Sequence, residues 1–162
     1  MTTVTRDTAD DDLHIRQAEH ADLLAVFRIE KAVFPQPWPF DAFQRFLDEP
    51  GFLVATENGK VTGYVVADTI PNHGRALGHI KDLAVHEQRR GEGIGRRLLA
   101  RALATLATRN ATSVKLEVRV GNTPARSLYE DFGFEALRRV PRYYDDGEDA
   151  IVMIADLGDW PA

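Results

Sequence analysis

Gln88-Arg89-Arg90-Gly91-Glu92-Gly93-Ile94-Gly95 is the stretch whose residue types and spacing point most directly to binding chemistry. It lies between an apolar run, His79-Ile80-Lys81-Asp82-Leu83-Ala84-Val85, and a helical pattern in which Ile94, Leu98, Ala102 and Leu106 recur every fourth position. Glycines at 91, 93 and 95 let the backbone turn tightly and let a ligand approach, while a helix start presents unpaired N–H groups and the positive end of its dipole. The combination suits an anion, a pyrophosphate above all, although a tight strand-to-helix connection uses the same residues. A Walker loop would need Gly-Lys-Ser/Thr after the glycines, which is absent. The dinucleotide fingerprint expects an acidic residue on a second strand about 20 positions on, a stretch here still inside the helix. Arg89-Arg90 and Arg96-Arg97 bracket the turn and would set positive charge against phosphates.

Glu117 sits on the polar face of a strand pattern in which Val114, Leu116, Val118 and Val120 alternate with charged residues. Partial burial there would raise its pKa and make it a base near neutral pH, directly or through a water. A strand carboxylate merely paired to Arg119 or Lys115 has the same signature. Tyr129, on the helix that opens near Pro124, could hand a proton to a leaving thiolate or simply pack in the core. Asn122 could bind a cofactor amide or hold its own turn. Tyr143-Tyr144 and the acidic run from Asp145 to Asp149 could receive a cationic amine or the start of a peptide. The five histidines show no metal-ligand spacing, so no metal is expected.

The elements that must position these residues follow from periodicity and punctuation. Residues 14–18 read as a strand and 22–32 as a helix with Asp22 in its first turn. The proline-stiffened aromatic loop around Phe34 and Trp38 is either a groove wall or a plug between helices. A short helix over 41–47 follows. Strands 51–57 and 61–68 flank Asn58-Gly59, a strong hairpin signal. A loop over 71–74 leads to the strand ending at Val85, and after the long helix comes a strand over 113–120. Thr123 is placed as helix cap with Pro124 as the first helical residue. That helix stops at Gly133, and strands over 134–140 and 150–157 close the chain. The fold class is α/β: a mixed central sheet of about seven strands with helices on both faces.

A chain of 162 residues supports one domain with a real core. Residues 1–12 read as a flexible acidic tail, 13–158 as the domain and 159–162 as a short tail. With no apolar run long enough to span a membrane and no basic-then-apolar start, neither a membrane span nor a signal peptide is expected. No cysteine is present, which removes disulfides and thiolate chemistry and fits a cytoplasmic protein. A net charge of −5 argues against general nucleic-acid binding.

These residues resemble the GNAT superfamily of acetyl-CoA-dependent N-acetyltransferases. Gln88-Arg89-Arg90-Gly91-Glu92-Gly93 matches its Gln/Arg-x-x-Gly-x-Gly/Ala motif, and the resemblance runs from about Ile15 to Leu157. Within the superfamily the chain is most similar to the ribosomal-protein alanine N-acetyltransferases of the RimI type. Leu116-Glu117-Val118-Arg119 with Asn122, Leu128-Tyr129-Glu130 through Gly133-Phe134, and Arg142-Tyr143-Tyr144 with Gly147-Glu148-Asp149-Ala150 carry that match. The resemblance implies that Leu83, Ala84 and Val85 offer backbone groups to the acetyl-pantetheine arm of acetyl-CoA. It assigns the pyrophosphate to the stretch that opens at Gln88 and runs Arg89, Arg90, Gly91, Glu92, Gly93, Ile94, Gly95, and a cofactor contact to Asn122. It implies Glu117 as general base, Tyr129 as general acid, and a splay between the two central strands. Phe34, Trp38, Tyr143 and Tyr144 are the expected acceptor-binding residues. The implied activity is direct acetyl transfer to a protein N-terminal α-amine, Ala- or Ser-starting, with a ribosomal protein among the acceptors; monomer and weak homodimer both fit. The alternatives are a small-molecule amine as acceptor, or a non-catalytic CoA-binding or complex-forming module. One departure is Gln36, where related archaeal and eukaryotic catalytic subunits carry a glutamate after the loop proline.

Overall fold

Strands whose two faces are both apolar must be covered on both sides, and the central strands here are of that kind. The computed structural model describes residues 12–158; the expected tails, Asp12 apart, lie outside the described residues. Seven strands form one sheet in the order β1-β2-β3-β4-β5-β7-β6. They are β1 Leu13–Gln17, β2 Gly51–Glu57, β3 Lys60–Asn72, β4 Arg75–Val85, β5 Ala111–Arg119, β6 Glu135–Val140 and β7 Ala150–Asp156. The helices are α1 Leu23–Val33, α2 Phe40–Gln44, α3 Ile94–Thr108 and α4 Thr123–Asp131. Every neighbouring strand pair is antiparallel except β4 with β5.

Period two along β2 and β3 divides the core, and helices cover both faces as expected. Leu53, Ala55, Val65 and Ala67 face Leu98, Leu99, Ala102 and Leu103 of α3. Phe52, Val54, Tyr64 and Val66 face Leu23, Val26 and Ile29 of α1 and Phe43 of α2. Fully burying a leucine or isoleucine contributes about 1.5–3 kcal/mol, several times the propensity differences among ordinary residues, so the apolar stripe fixes α3 in place.

Several boundaries differ from the sequence reading for identifiable reasons. Asn58 and Gly59 turn β2 into β3 with φ of 52° and 79°, as their dipeptide predicts. The stretch expected as a loop at 71–74 is instead a second tight hairpin. His73 and Gly74 take φ of 51° and 80°, so the strands stay paired up to Asn72 and Arg75. Pro71 is tolerated there because β2 ends opposite Ala67, leaving that end of β3 an edge. The short helix expected over 41–47 spans only Phe40–Gln44. Thr123 is not the cap of α4: Asn122 is, its Oδ1 accepting the Ala125 N–H at 3.3 Å, which makes Pro124 the second helical residue. Asp22 precedes α1 and holds Arg16 at 2.7 and 2.9 Å and the Glu19 N–H at 2.8 Å.

The feature that positions the site is the junction of β4 and β5. Their parallel pairing runs only to Ile80 opposite Leu116. In the β3–β4 ladder Val66 pairs Asp82 while Ala67 pairs Ile80, so Lys81 is the extra residue of a bulge. Beyond the bulge β4 keeps β3 to Val85, and β5 keeps β7 to Arg119. The two central strands therefore part, as the resemblance implies, and a cleft opens between them.

Candidate active site

Two cavities flank this parting. The larger, of about 650 Å³, is lined by Leu83, Ala84 and Val85 of β4 and by Arg89, Arg90, Gly91, Gly93, Ile94 and Gly95. The smaller, of about 310 Å³, is lined by Glu117, Trp38, Tyr143 and Tyr144 among others. Phe34, Leu83, Arg119, Asn122, Ala125 and Tyr129 belong to both walls.

The larger cavity has the chemistry of an anion site. Gly91 and Gly93 both take φ of 81°, and a Cβ on either would meet nothing within 4 Å, so their requirement is conformational. Gly93 caps the 15-residue α3 with no side-chain cap, and no acidic residue occupies the first turn. The first N–H groups of α3 are thus left for a ligand. At Gly95 a Cβ would contact Leu128 and Val85 at 3.6 and 3.7 Å, so its absence keeps the first turn open. The expected contribution of four arginines needs correction. Arg89 is held by Glu57 at 2.5 Å and Glu92 at 2.8 Å, Arg96 by Asp131, and Arg97 by the Leu13 carbonyl at 3.4 Å. Only Arg90 of the four has no such partner among the described residues. Nor does the structure bring Gln88 or Glu92 to this wall: Gln88 lines a separate groove beside Arg28 and Ile29, and Glu92 is turned to Arg89.

In the smaller cavity, Glu117 is half-buried and doubly held. Its Oε1 lies 2.7 Å from His79 Nε2 and its Oε2 3.3 Å from Lys115 Nζ. Burial pushes the carboxyl up, but the hydrogen bond and charge of His79, joined by Lys115, outweigh burial and leave it below its ordinary value. The upward shift expected from burial alone is therefore reversed, and Arg119 is not its partner. His79 backs Glu117 from outside the cavity wall, and its Nδ1 is buried with no hydrogen-bond partner among the described residues. Tyr129 is buried, and burial, followed by the charge of Asp82 and the neighbouring Tyr144, pushes its phenol up. It is a protonated phenol at neutral pH.

The aromatic loop serves as both wall and plug. Trp38 stacks on Phe46 at 5.8 Å and tilts on Phe43 at 5.2 Å, yet it and Phe34 line the smaller cavity. Tyr143 and Tyr144 meet edge to face at 5.0 Å. Tyr143 is 49% exposed, so the cavity rim lies at the surface. The acidic run after them is less negative toward the cavity than its sequence implies. Asp146 and Glu148 pair with Arg119 at 2.8 and 2.9 Å, and Asp149 pairs with Arg139 at 2.6 Å.

Residues 23–134 match the Acetyltransferase (GNAT) family. The chain belongs to that family. It is an acetyl-CoA-dependent acetyltransferase of the GNAT class. An N-alpha-acetyltransferase of Sulfolobus acidocaldarius is 40% identical over 155 residues, covering 88% of this chain and 92% of that protein. Among solved structures, the NatC complex bound to Gag peptide and CoA superposes with a TM-score of 0.83 at 25% identity, over 90% of this chain and 99% of that one. The ribosomal-protein-S18-alanine N-acetyltransferase from Escherichia coli superposes with a TM-score of 0.79 at 28% identity, over 93% and 99%.

This GNAT site contains residues that sequence reasoning did not single out. Arg119 ties three segments together: besides Asp146 and Glu148 it bonds Gln36 Oε1 at 3.4 Å and lies 4.1 Å from the Tyr144 ring centre. Glu30 and Asp82 also line the smaller cavity, and Tyr64 donates to Glu30 behind them. A signal for Glu30 existed, since Leu23, Val26 and Glu30 share one helix face. Asp82 likewise stood out as a carboxylate within an apolar strand run. His79 carried no such signal, because its partner Glu117 lies 38 positions away. Among the described residues no cluster of His, Cys, Asp and Glu could hold a metal ion, and no helix is long and apolar enough to cross a membrane.

Proposed function

We propose that this GNAT enzyme transfers the acetyl group of acetyl-CoA to the α-amine at the N-terminus of a protein, with Ala- or Ser-starting acceptors and a ribosomal protein among them. The observation that carries this reading is the meeting of the two cavities at Tyr129 and Leu83, with a cradle of helix N–H groups on one side and an aromatic, surface-reaching wall on the other. The names of the related enzymes, N-alpha-acetyltransferase and ribosomal-protein-S18-alanine N-acetyltransferase, support the same acceptor class.

The residues present fit the donor. Gly91, Gly93 and the first turn of α3 would hold the pyrophosphate, with Arg90 adding charge. The edges of Leu83, Ala84 and Val85 that face away from β3 have no strand partner in β5, so they are available to the pantetheine arm. Asn122 keeps its amide NH₂ for the same ligand, its oxygen being spent on the helix cap. Bound acetyl-CoA supplies an acyl group activated as a thioester.

The remaining steps belong to the chain. Phe34, Trp38, Tyr143 and Tyr144 seat the acceptor so that its amine reaches the parting of β4 and β5. The acceptor reacts as its neutral amine, formed from an α-ammonium of pKa about 7.7–8.0, and Glu117, ionised and backed by His79, takes the proton that the nitrogen must lose once it has bonded to the carbonyl carbon. The neutral amine attacks directly, since no cysteine exists to carry the acyl group. A backbone N–H near Val85 stabilises the charge that develops on the carbonyl oxygen. Tyr129 gives its phenolic proton to the departing thiolate. Holding both reactants in the cleft lowers the barrier by converting an encounter into a positioned reaction.

The test is incubation of the protein with labelled acetyl-CoA and peptides that differ in their first residues, beside a peptide with only an internal lysine amine and a polyamine. Transfer to free Ala- and Ser-starting peptides is expected. Transfer to the polyamine alone would overturn the reading.

A further inference from the structure

Phe34 and Trp38, the two ends of the loop that walls the smaller cavity, both give their backbone N–H to one residue. Glu30, near the end of α1, accepts the Phe34 N–H on its main-chain carbonyl at 3.0 Å and the Trp38 N–H on its carboxyl Oε2 at 2.8 Å. The other carboxyl oxygen, Oε1, accepts the hydroxyl of Tyr64, a fully buried residue of β3. A line of hydrogen bonds thus runs from the sheet through the Glu30 carboxyl to the main chain of the loop. Glu30 is 2% exposed and lines the smaller cavity beside both residues that it holds.

The loop needs an anchor of this kind. Pro35, Pro37 and Pro39 have no N–H, so the segment cannot close on itself through those residues. These prolines and Gln36 are exposed, so burial does not fix the path of the chain between Phe34 and Trp38. Gln36 meets Arg119 at a long 3.4 Å. Glu30, for its part, shares a buried helix face with Leu23 and Val26, where an apolar side chain would pack without the desolvation that a carboxyl suffers. Its two oxygens are spent on joining the sheet to the loop.

We propose that Glu30 is a positioning residue for the acceptor: its carboxyl sets the place of Trp38 relative to Phe34, and with it the wall on which the acceptor's first residues lie. The proposal rests on the reading that the smaller cavity receives a protein N-terminus. Glu30 takes no part in proton transfer, so its effect belongs to acceptor binding rather than to the acetyl-transfer step. Phe34 and Pro35 also line the larger cavity, but Phe34 hangs from the main-chain carbonyl of Glu30, which a substitution leaves in place. The rival anchor is the Trp38 ring, which packs on Phe43 and Phe46.

The experiment compares the wild type with Glu30→Met, Glu30→Asp and Glu30→Gln. Steady-state kinetics give kcat and KM for an Ala-starting peptide and KM for acetyl-CoA, and NMR follows hydrogen exchange at the Trp38 amide. Methionine fills the space of Glu30 but offers the Trp38 N–H no oxygen. Aspartate, one methylene shorter, draws the carboxyl back from the loop while keeping a polar group in the core, and covers the case in which Glu30→Met fails to fold. Glutamine keeps an oxygen for Trp38 and turns its NH₂ toward Tyr64, whose hydroxyl can direct its own proton to Asp82 beside it. Glu30→Met and Glu30→Asp are expected to raise the peptide KM about tenfold, to leave kcat and the KM for acetyl-CoA within about twofold, and to speed exchange at the Trp38 amide. Glu30→Gln is expected to restore the wild-type peptide KM and slow exchange. A role confined to bracing the core would lower kcat or the folded fraction and leave the peptide KM alone. An unchanged peptide KM in the folded Met or Asp variant, or a glutamine variant as impaired as they are, would overturn the proposal while leaving N-terminal acetylation standing. So would fast exchange of the Trp38 amide in the wild type. Transfer to a polyamine with none to any peptide would overturn the N-terminal reading and this one with it.

Discussion

At the scale of single residues, Glu117 shows how a partner reverses what burial alone would do. Half-buried carboxylates drift upward, but His79 at 2.7 Å and Lys115 at 3.3 Å hold this one below its ordinary value. A depressed carboxyl contributes stability above its unfolded pKa and loses it as pH falls through the folded one, so the contribution of Glu117 is lost on acidification. Glu117 is accordingly ionised across the working range. With the proposed N-terminal amine as acceptor, kcat/KM should rise between about pH 6 and 9 as that amine, of pKa near 8, loses its proton. Glu117→Gln should lower kcat/KM by about 100-fold and leave that rising limb where it is. Steady-state kinetics across pH would check this, and a limb that vanished in the variant would show that Glu117 itself titrates there. The sequence identified Glu117 by its place on a polar strand face, yet it could not supply the sign of the shift. His79 reaches Glu117 only because β4 and β5 run parallel with 79 beside 115, a fact of topology rather than of spacing.

At the scale of elements, the glycines of the strand-to-helix turn separate two requirements that a motif merges. Gly93 needs its left-handed φ, whereas Gly95 is already helical and needs only the space in front of it. Gly93→Ala should therefore cost about 1–2 kcal/mol and weaken acetyl-CoA binding as the turn shifts. Gly95→Ala should raise stability by about 0.8–1 kcal/mol, the helix-propensity difference, and still weaken acetyl-CoA binding by covering the first turn. Thermal melts with calorimetric titration of acetyl-CoA would separate them; a destabilised Gly95→Ala would contradict the argument. Arg119 plays the corresponding part at the smaller cavity, the proposed acceptor site, joining the end of β5 to Gln36, Tyr144, Asp146 and Glu148. Arg119→Gln should free the loop between β6 and β7, raising the peptide KM about tenfold with a smaller change in kcat. Equal loss in both parameters would place Arg119 in the chemical step instead. Local signals such as Asn58-Gly59 and the four-residue repeat of α3 made most elements legible. The ends of elements were less so, because a cap such as Asn122 and a paired proline such as Pro71 depend on neighbours outside the window.

For the whole molecule, the legible part is the sheet with its two coverings, since alternation on β2 and β3 assigns each residue to one core or the other. What stayed hidden are contacts that the fold makes between distant carboxylates and their partners. Glu30 was readable as an oddity on an apolar helix face and Asp82 as one in an apolar strand, but their meeting required α1 to lie across β3 and β4. That meeting also has a cost for the folded state. A carboxyl whose folded pKa is raised contributes its full stability below the unfolded pKa, near 4, and loses it progressively as pH rises toward the folded value. The cost of the Asp82 carboxyl should therefore be larger at pH 8 than at pH 5. Replacing it with a neutral amide that can still reach Glu30 and the Leu83 N–H removes the titration without opening a cavity. Asp82→Asn should consequently melt above the wild type at pH 8, with the advantage shrinking toward pH 5. In a domain of this size about 1 kcal/mol corresponds to about 2–4 °C in Tm, a shift that scanning calorimetry resolves at each pH. A difference in Tm that did not change with pH would mean that the Asp82 carboxyl is not raised in the folded state.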